Sequence, residues 1–232
     1  MLIVANYKMN GDSKFYSTLI NKLNKVKDTK LILCPPFVYL PYLSCFTRLF
    51  SLGAQDVCCA ESGKYTGQVS AEMLKDFKVK YCIVGHSERR GFETNLEVAG
   101  KVKECLKQGI MPILCVGESV KDENEEVLVE QLTSALAGVG KDKKAIVAYE
   151  PVWAIGSGVV PTNTYINKKV ALIKKILKDL GLNLPILYGG SVDEKNCLKL
   201  KKCKIDGFFV GGLSLQFEKL LYFRRLVCEK EF

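Results

Sequence analysis

Eight short apolar segments recur along the chain at nearly regular intervals, and this repetition constrains the fold more than any other feature. The segments span residues 2–6, 31–35, 52–55, 81–85, 111–117, 145–150, 185–189 and 207–211. Most are apolar at nearly every position and do not alternate, which is typical of strands buried on both faces of a parallel sheet. The sequence therefore predicts a parallel sheet covered by helices.

The segments between these strands have the pattern of amphipathic helices. Two apolar stripes at helical spacing are formed by Phe15, Leu19, Leu23 and Val26, and by Ile166, Val170, Ile173, Leu177 and Leu180. The second stripe ends at Gly181, a residue type that often closes a helix. Thr94 and Glu97 have the spacing of a capping box, and Gly109 can end the helix that they begin.

Chain length then selects an architecture. Eight strands in 232 residues give roughly 29 residues per strand–helix unit, which suits an α/β fold of the (β/α)8 barrel type, with eight parallel strands surrounded by helices. We expect one domain over residues 1–232. The alternative is an open doubly wound sheet, but no Gly-x-Gly-x-x-Gly loop follows residues 2–6, where that fold usually keeps one.

Composition excludes several classes of protein. No apolar run reaches the length of a membrane helix or a signal-peptide core, so we expect a cytoplasmic protein that does not bind membranes. The net charge is +9, but the lysines are spread along the helical segments, which predicts no nucleic-acid partner. Ten cysteines without a Cys-x-x-Cys pair, together with one histidine, predict reduced thiols and no metal site.

Polar and glycine residues stand at the carboxyl ends of five predicted strands, and these ends converge on one face of a barrel. They are Asn6 and Lys8, His86, Glu150, Gly189 to Ser191, and Gly211 with Gly212. Each has an ordinary structural explanation when taken alone. Together they place a base, a neutral donor, a cation and two backbone anion sites on one rim, which indicates an active site.

The glycine pairs indicate the ligand and the carboxylate indicates the chemistry. Glycine lets backbone N–H groups approach an anion, and the loops after the seventh and eighth strands form the usual phosphate site of such barrels. With no metal cage or nucleotide motif in the sequence, we expect proton transfer by side chains on a phosphate ester. Isomerisation fits these groups better than hydrolysis or redox chemistry.

Five motifs in this order resemble the triosephosphate isomerase family, whose fold is the TIM barrel. They are residues 6–11 (NYKMNG), 85–90 (GHSERR), 148–156 (AYEPVWAIG), 188–192 (YGGSV) and 210–212 (VGG). The resemblance covers essentially the whole chain. It implies an enzyme of glycolysis and gluconeogenesis that interconverts dihydroxyacetone phosphate and D-glyceraldehyde 3-phosphate through an enediolate, without a cofactor.

The resemblance also implies a role for each residue of the proton path. Glu150 is then the base, and His86 is a neutral donor whose cationic form is disfavoured by the positive end of the helix that follows. Lys8 supplies positive charge, Asn6 helps to hold the site, and Glu88 orients Lys8.

The same resemblance implies a mobile lid and a phosphate-binding site. Residues 151–161 resemble the mobile lid of the family, with Trp153 as a packed hinge anchor and Gly156 offering its N–H to the phosphate. Ser191, Gly211 and Gly212 complete the phosphate-binding site that the resemblance implies. This lid is more apolar than usual, at Val159 and Val160, and Pro161 fixes one φ angle at its hinge.

Residues 65–67 resemble the loop that reaches the partner subunit near Lys8 in family dimers, which implies a homodimer built through residues 64–68. Gln68 stands where a glutamate is usual, which removes a cross-subunit partner for Arg89, and Lys64 stands where a small residue is typical.

Two other functions stay open from the sequence. One is a barrel that only binds phosphate or serves as a scaffold, and the other is an isomerase of a different phosphorylated sugar.

Overall fold

The computed structural model describes residues 1–24, 31–121, 125–142 and 144–228, and its centre is a closed barrel of parallel strands. The strands are β1 Leu2–Asn6, β2 Leu31–Cys34, β3 Ser51–Ala54, β4 Tyr81–Val84, β5 Met111–Val116, β6 Ile146–Tyr149, β7 Ile186–Tyr188 and β8 Gly207–Val210. Each strand pairs with the next, and β8 pairs back with β1. The eight predicted strands and the predicted barrel are confirmed.

Helices connect the strands on the outside of the barrel. They are α1 Ser13–Leu23, α2 Leu40–Ser44, α3 Ala71–Asp76, α4 Asn95–Lys107, α5 Glu126–Leu136, α6 Asn163–Asp179, α7 Cys197–Leu200 and α8 Phe217–Cys228. Short 3₁₀ helices cover Phe37–Tyr39, Val152–Ala154 and Gly212–Leu215. The two predicted stripes lie on α1 and α6, although Val26 lies outside the described residues and Leu180 caps α6.

The ends of α4 form as the sequence predicts. The Thr94 hydroxyl accepts the Glu97 N–H at 3.2 Å, and the Glu97 carboxylate accepts the Thr94 N–H at 2.7 Å. Gly109 follows the helix with φ +74°, a left-handed conformation that glycine adopts without strain. The capping box and the closing glycine are confirmed.

Two apolar layers hold the barrel together. The interior is filled by alternate strand residues, namely Val4, Ile32, Cys34, Ile83, Ile113, Cys115, Ile146, Ala148, Leu187 and Phe209. The intervening strand residues pack outward against the buried faces of the helices. Because the interior is packed with side chains, any ligand is confined to the ends of the barrel.

The remaining sequence expectations concern cysteines, metals and membranes. All ten cysteines are free thiols, and most of them are buried. In the part of the chain that the structure describes, no group of three or more His, Cys, Asp or Glu side chains could hold a metal ion. Over the same residues, no helix is both long enough and apolar enough to cross a membrane.

Candidate active site

The carboxyl ends of the strands surround a cavity of about 300 Å³. Seven of the predicted site residues line it, namely Lys8, His86, Glu150, Gly156, Ser191, Gly211 and Gly212. Asn6 and Glu88 line a smaller adjoining cavity of about 180 Å³, which shares Lys8 and His86 with the first. The fold therefore brings all nine predicted site residues to the same face of the barrel.

Glu150 is a buried carboxylate at the end of β6. Its Oε1 lies 3.3 Å from Nε2 of His86, and its backbone N–H donates to the carbonyl of Val116 at 2.8 Å. The other carboxylate oxygen, Oε2, is buried and has no hydrogen-bond partner among the described residues. A buried oxygen that is otherwise unsatisfied is well placed to accept a proton from a ligand in the cavity.

Two glycines make room for Glu150. A Cβ on Gly117 would lie 1.7 Å from the Glu150 carbonyl oxygen, and a Cβ on Gly189 would lie 2.9 Å from its Cγ. Gln131 holds the Gly117 peptide from both sides, accepting its N–H at 2.9 Å and donating to its carbonyl at 3.2 Å. The sequence analysis missed Gly117 and Gln131, and the available signal was the glycine that ends the fifth apolar segment.

His86 is held in one tautomer by its own turn. The backbone N–H of Glu88 donates to Nδ1 of His86 at 3.1 Å, so Nδ1 carries a lone pair and the ring proton is on Nε2. Residues 87–92 form turns, and the helix that the Thr94 capping box was predicted to begin, α4, starts at Asn95. The group that donates to the ring is therefore an N–H of this turn, and the beginning of α4 lies further along the chain.

Opposing effects act on the pKa of His86. Burial lowers it, whereas the carboxylates of Glu150 and Glu88 raise it, and together these effects shift the pKa upward. A cationic ring would need a proton on Nδ1 and would lose the hydrogen bond from Glu88, which opposes that upward shift. We assign the neutral ring because this hydrogen bond is formed.

Lys8 has a strained backbone that its neighbours stabilise. Its φ is +51°, which is uncommon for a residue with a side chain, and its N–H donates to Oδ1 of Asn6 at 3.0 Å. Nε2 of Gln55 donates to the Lys8 carbonyl and to the Cys34 carbonyl, each at 2.8 Å. The sequence analysis missed Gln55, although this residue ends the third apolar segment as Asn6 ends the first.

The ammonium group of Lys8 donates to Oε1 of Glu88 at 2.6 Å. Burial raises the pKa of Glu88, but the hydrogen bond and the ion pair with Lys8 outweigh burial, so the pKa is lowered. Glu88 therefore stays ionised and holds the ammonium at the rim of the cavity.

Glycine-rich backbone forms another part of the cavity wall. Gly211 and Gly212 precede and begin the 3₁₀ helix Gly212–Leu215, and Gly156 has φ +67°. The Ser191 hydroxyl donates to the Ala154 carbonyl at 2.7 Å, which ties the loop after β7 to residues 151–161. Ser214, which the sequence analysis missed, donates its hydroxyl to the Gly211 carbonyl at 2.6 Å and is fully buried.

A second buried carboxylate anchors the segment that follows Glu150. Oε1 of Glu118 accepts hydrogen bonds from the Tyr149 hydroxyl at 2.8 Å, from Nε1 of Trp153 at 3.2 Å and from the Tyr165 hydroxyl at 2.8 Å. Burial and the Glu118 carboxylate raise the pKa of Tyr149, so its hydroxyl remains a donor. The sequence analysis missed this role of Glu118, because its three partners lie at distant positions.

These features define a class of protein. A closed (β/α)8 barrel carries a carboxylate, a neutral imidazole and an ammonium group around a small cavity with a glycine-rich wall, which is an acid–base site for a small anionic ligand.

The comparisons with known proteins are specific. Residues 1–228 match the family model described as "Triosephosphate isomerase". A protein of that name from Colwellia psychrerythraea is 38% identical, over 98% of this chain and 96% of its own. The protein of the same name from Vesicomyosocius okutanii is 40% identical, over 95% of this chain and 96% of its own length. The one from a Wolbachia of Brugia malayi is 39% identical, over 99% of this chain and 97% of its own length. The chain belongs to the triosephosphate isomerase family.

Proposed function

We propose that this chain is a triose-phosphate isomerase, which interconverts dihydroxyacetone phosphate and D-glyceraldehyde 3-phosphate in glycolysis and gluconeogenesis. The observation that carries the proposal is the contact between the buried Glu150 carboxylate and Nε2 of His86, at 3.3 Å. Both groups face a cavity that also contains the Lys8 ammonium and the glycine-rich wall. The cavity volume of about 300 Å³ is at the small end for ligand sites and suits a three-carbon phosphate.

The reaction is a pair of proton transfers between neighbouring carbons. Glu150 removes the proton beside the carbonyl group and returns it to the other carbon, while Nε2–H of His86 donates to the oxygens of the enediolate. Lys8 places a positive charge where negative charge develops, and Asn6 and Glu88 hold Lys8 in position. These side chains suffice for the chemistry, and the proposed reaction uses no cofactor or metal.

Binding of the phosphate is assigned to the glycine-rich wall. Backbone N–H groups of Gly156, Gly211 and Gly212, together with Ser191, are the proposed donors, because glycine leaves room for an anion beside the chain. Residues 151–161 act as a lid that excludes water from the enediolate. The tie from Ser191 to Ala154 couples this lid to the phosphate site.

The proposed active form is a cytoplasmic homodimer in which residues 64–68 contact the partner subunit near Lys8. Met9, which follows Lys8 in the chain, and Tyr65, within residues 64–68, support this arrangement, because their side chains are 94% and 47% exposed. Exposed apolar groups of this size often mark a protein interface. Dilution of the enzyme at fixed substrate tests the proposal, because dissociation would lower the specific activity, and sedimentation of a monomer at all concentrations would contradict it.

A coupled assay of D-glyceraldehyde 3-phosphate conversion tests the isomerase itself. We expect turnover by the unmodified chain and its loss in Glu150→Ala, with the fold of the variant confirmed by circular dichroism. A folded Glu150→Ala variant with undiminished turnover would refute the role of Glu150. No turnover, combined with binding of triose phosphates, would favour a binding protein, and faster turnover of longer sugar phosphates would favour the other isomerase.

A further inference from the structure

Four charged side chains form a compact network beside the cavity. Asp56 Oδ1 lies 2.6 Å from Lys101 Nζ, and Asp56 Oδ2 lies 3.0 Å from Arg89 Nη2. Glu93 Oε1 lies 2.7 Å from Lys101 Nζ and 2.5 Å from Arg89 Nε. The network therefore pairs two carboxylates with two cations, and each carboxylate contacts both cations.

Three of the four side chains of this network are largely buried, whereas the side chain of Arg89 is 48% exposed. The side chains of Lys101 and Glu93 are each only 5% exposed, and that of Asp56 is 18% exposed. Removing one partner from a buried ion pair leaves an uncompensated charge, which is strongly unfavourable. Because the guanidinium group is planar, contacts to Nη2 and Nε from two carboxylates also fix its orientation.

The network joins the two segments that hold the reactive groups. Asp56 directly follows Gln55, whose side chain holds the Lys8 carbonyl. Arg89 directly follows Glu88, whose carboxylate holds the Lys8 ammonium and whose N–H holds Nδ1 of His86. Lys101 belongs to α4, so the helix serves as the fixed support for both segments.

We propose that Asp56 is a positioning residue of the isomerase, and that its bridge from Lys101 to Arg89 fixes the turn that orients His86 and Lys8. This inference rests on the proposed function. The network also gives the Arg89 guanidinium two carboxylate partners within its own subunit, namely Asp56 and Glu93.

The network supports one side of the cavity only. Its members include the residues that directly follow Gln55 and Glu88, whereas none of its ion pairs involves Gly156, Ser191, Gly211 or Gly212. Weakening the network therefore disturbs groups that act on the enediolate and leaves the proposed phosphate site unchanged. The expected signature is a loss of kcat with little change in KM.

The first test is Asp56→Asn, which keeps the shape of the side chain and removes its charge. We expect kcat to fall about 10-fold, with KM within about 2-fold of the unmodified value, because small displacements of acid–base groups are costly. Glu218→Gln is the matched control, since it removes the ion pair between Glu218 of α8 and Lys22 of α1, neither of which lines the cavity, and should leave kcat unchanged. Asp56→Glu, which keeps the charge, should recover part of the lost kcat.

The second test separates positioning from folding. Asp56→Asn leaves a buried excess of positive charge, so that variant alone risks unfolding. Asp56→Asn with Lys101→Met restores the balance, with Arg89 and Glu93 as the remaining pair, and should fold. We expect this folded double variant to keep the low kcat, because the bridge to the Asp56 segment is still missing.

A spectroscopic measurement reads the orientation of His86 directly. His86 is the only histidine, so its ring nitrogens give unambiguous signals in ¹⁵N NMR. We expect a single neutral tautomer in the unmodified protein and a mixture in both variants. A folded double variant with unmodified kcat and a single tautomer would overturn the inference, whereas lack of turnover by the unmodified chain would overturn the proposed function instead.

Discussion

The backbone N–H of Glu88 donates to Nδ1 of His86 at 3.1 Å, and this one contact determines which ring nitrogen can act as an acid. With Nδ1 engaged as an acceptor, the proton is on Nε2, which faces Glu150. The contact lies within a turn of three residues. The sequence motif that contains His86 therefore also carries the group that sets its tautomer.

Replacing His86 by glutamine keeps an N–H donor but loses the ring that the turn orients. We expect kcat to fall by about 10²-fold, which is the lower range for loss of a positioned acid–base group, while KM changes little. Steady-state kinetics in the coupled assay measures both constants. Equal kcat values for His86→Gln and the unmodified chain would show that the ring is not the donor.

Alanine at Gly117 should harm both stability and activity. Its Cβ would lie 1.7 Å from the Glu150 carbonyl, so the backbone that carries the base must move. We expect a loss of several kcal/mol in the free energy of unfolding, as for other overpacked sites, or failure to fold. Urea denaturation of Gly117→Ala is compared with Gly91→Ala, where a Cβ meets no atom within 4 Å and stability should change little. A stable Gly117→Ala variant with full activity would contradict this account.

The ion pair between Glu88 and Lys8 predicts a pH dependence of stability. The pKa of Glu88 is lowered in the folded protein, so the pair stabilises the fold above the ordinary carboxylate pKa of 4.5 and loses this effect as the pH falls through the lower, folded value. Because Glu88 is 58% exposed, solvent screening limits the effect to about 0.5 kcal/mol. Urea denaturation should show Glu88→Gln to be less stable than the unmodified protein at pH 7. The stability difference should shrink as the pH falls below 4.5, and a difference that grows on acidification would contradict this account.

The strands were predictable because their signal is local. Each strand of the barrel is buried on both faces, so its apolar run is visible without knowledge of its neighbours, and the residues after each run mark the carboxyl face. The contacts that tune the site were not predictable in this way. Gln55 and Glu118 act through partners on other strand–helix units, and Gln131 acts through Gly117, which lies 14 residues earlier in the chain; neither composition nor spacing identifies such partners.

The turn after His86 illustrates the same limit. The sequence shows an apolar strand, then polar residues that include His86, and then the capping box at Thr94 that begins the next helix, but it does not show how the residues between His86 and Thr94 fold. The structure interposes the turns of residues 87–92, and these turns are stabilised by contacts of Arg89 and Arg90 with distant residues, including Asp56 and Cys115. The local sequence around His86 carries no information about those long-range contacts.

Glu118 provides a direct test of the lid anchor. Its Oε1 accepts three donors, including Nε1 of Trp153 at the base of the lid, while its Oε2 is buried without a partner among the described residues. In Glu118→Gln, an NH₂ group replaces one of the two carboxylate oxygens. A buried N–H group is then left without an acceptor, and the hydrogen bonds to the remaining oxygen are weaker because it no longer carries charge. We expect the free energy of unfolding to fall by about 2 kcal/mol.

The same variant should change the fluorescence of Trp153, which is the only tryptophan and therefore reports the lid base without interference. Glu72→Gln, an exposed carboxylate in the first turn of α3, is the control and should leave both fluorescence and stability unchanged. Because Glu118 contacts the proposed lid and none of the proposed proton-transfer groups, kcat in Glu118→Gln should become limited by lid motion and therefore sensitive to solvent viscosity. An unchanged emission spectrum, with unchanged viscosity dependence, would mean that Trp153 is held by packing alone and that the Glu118 carboxylate does not anchor the lid.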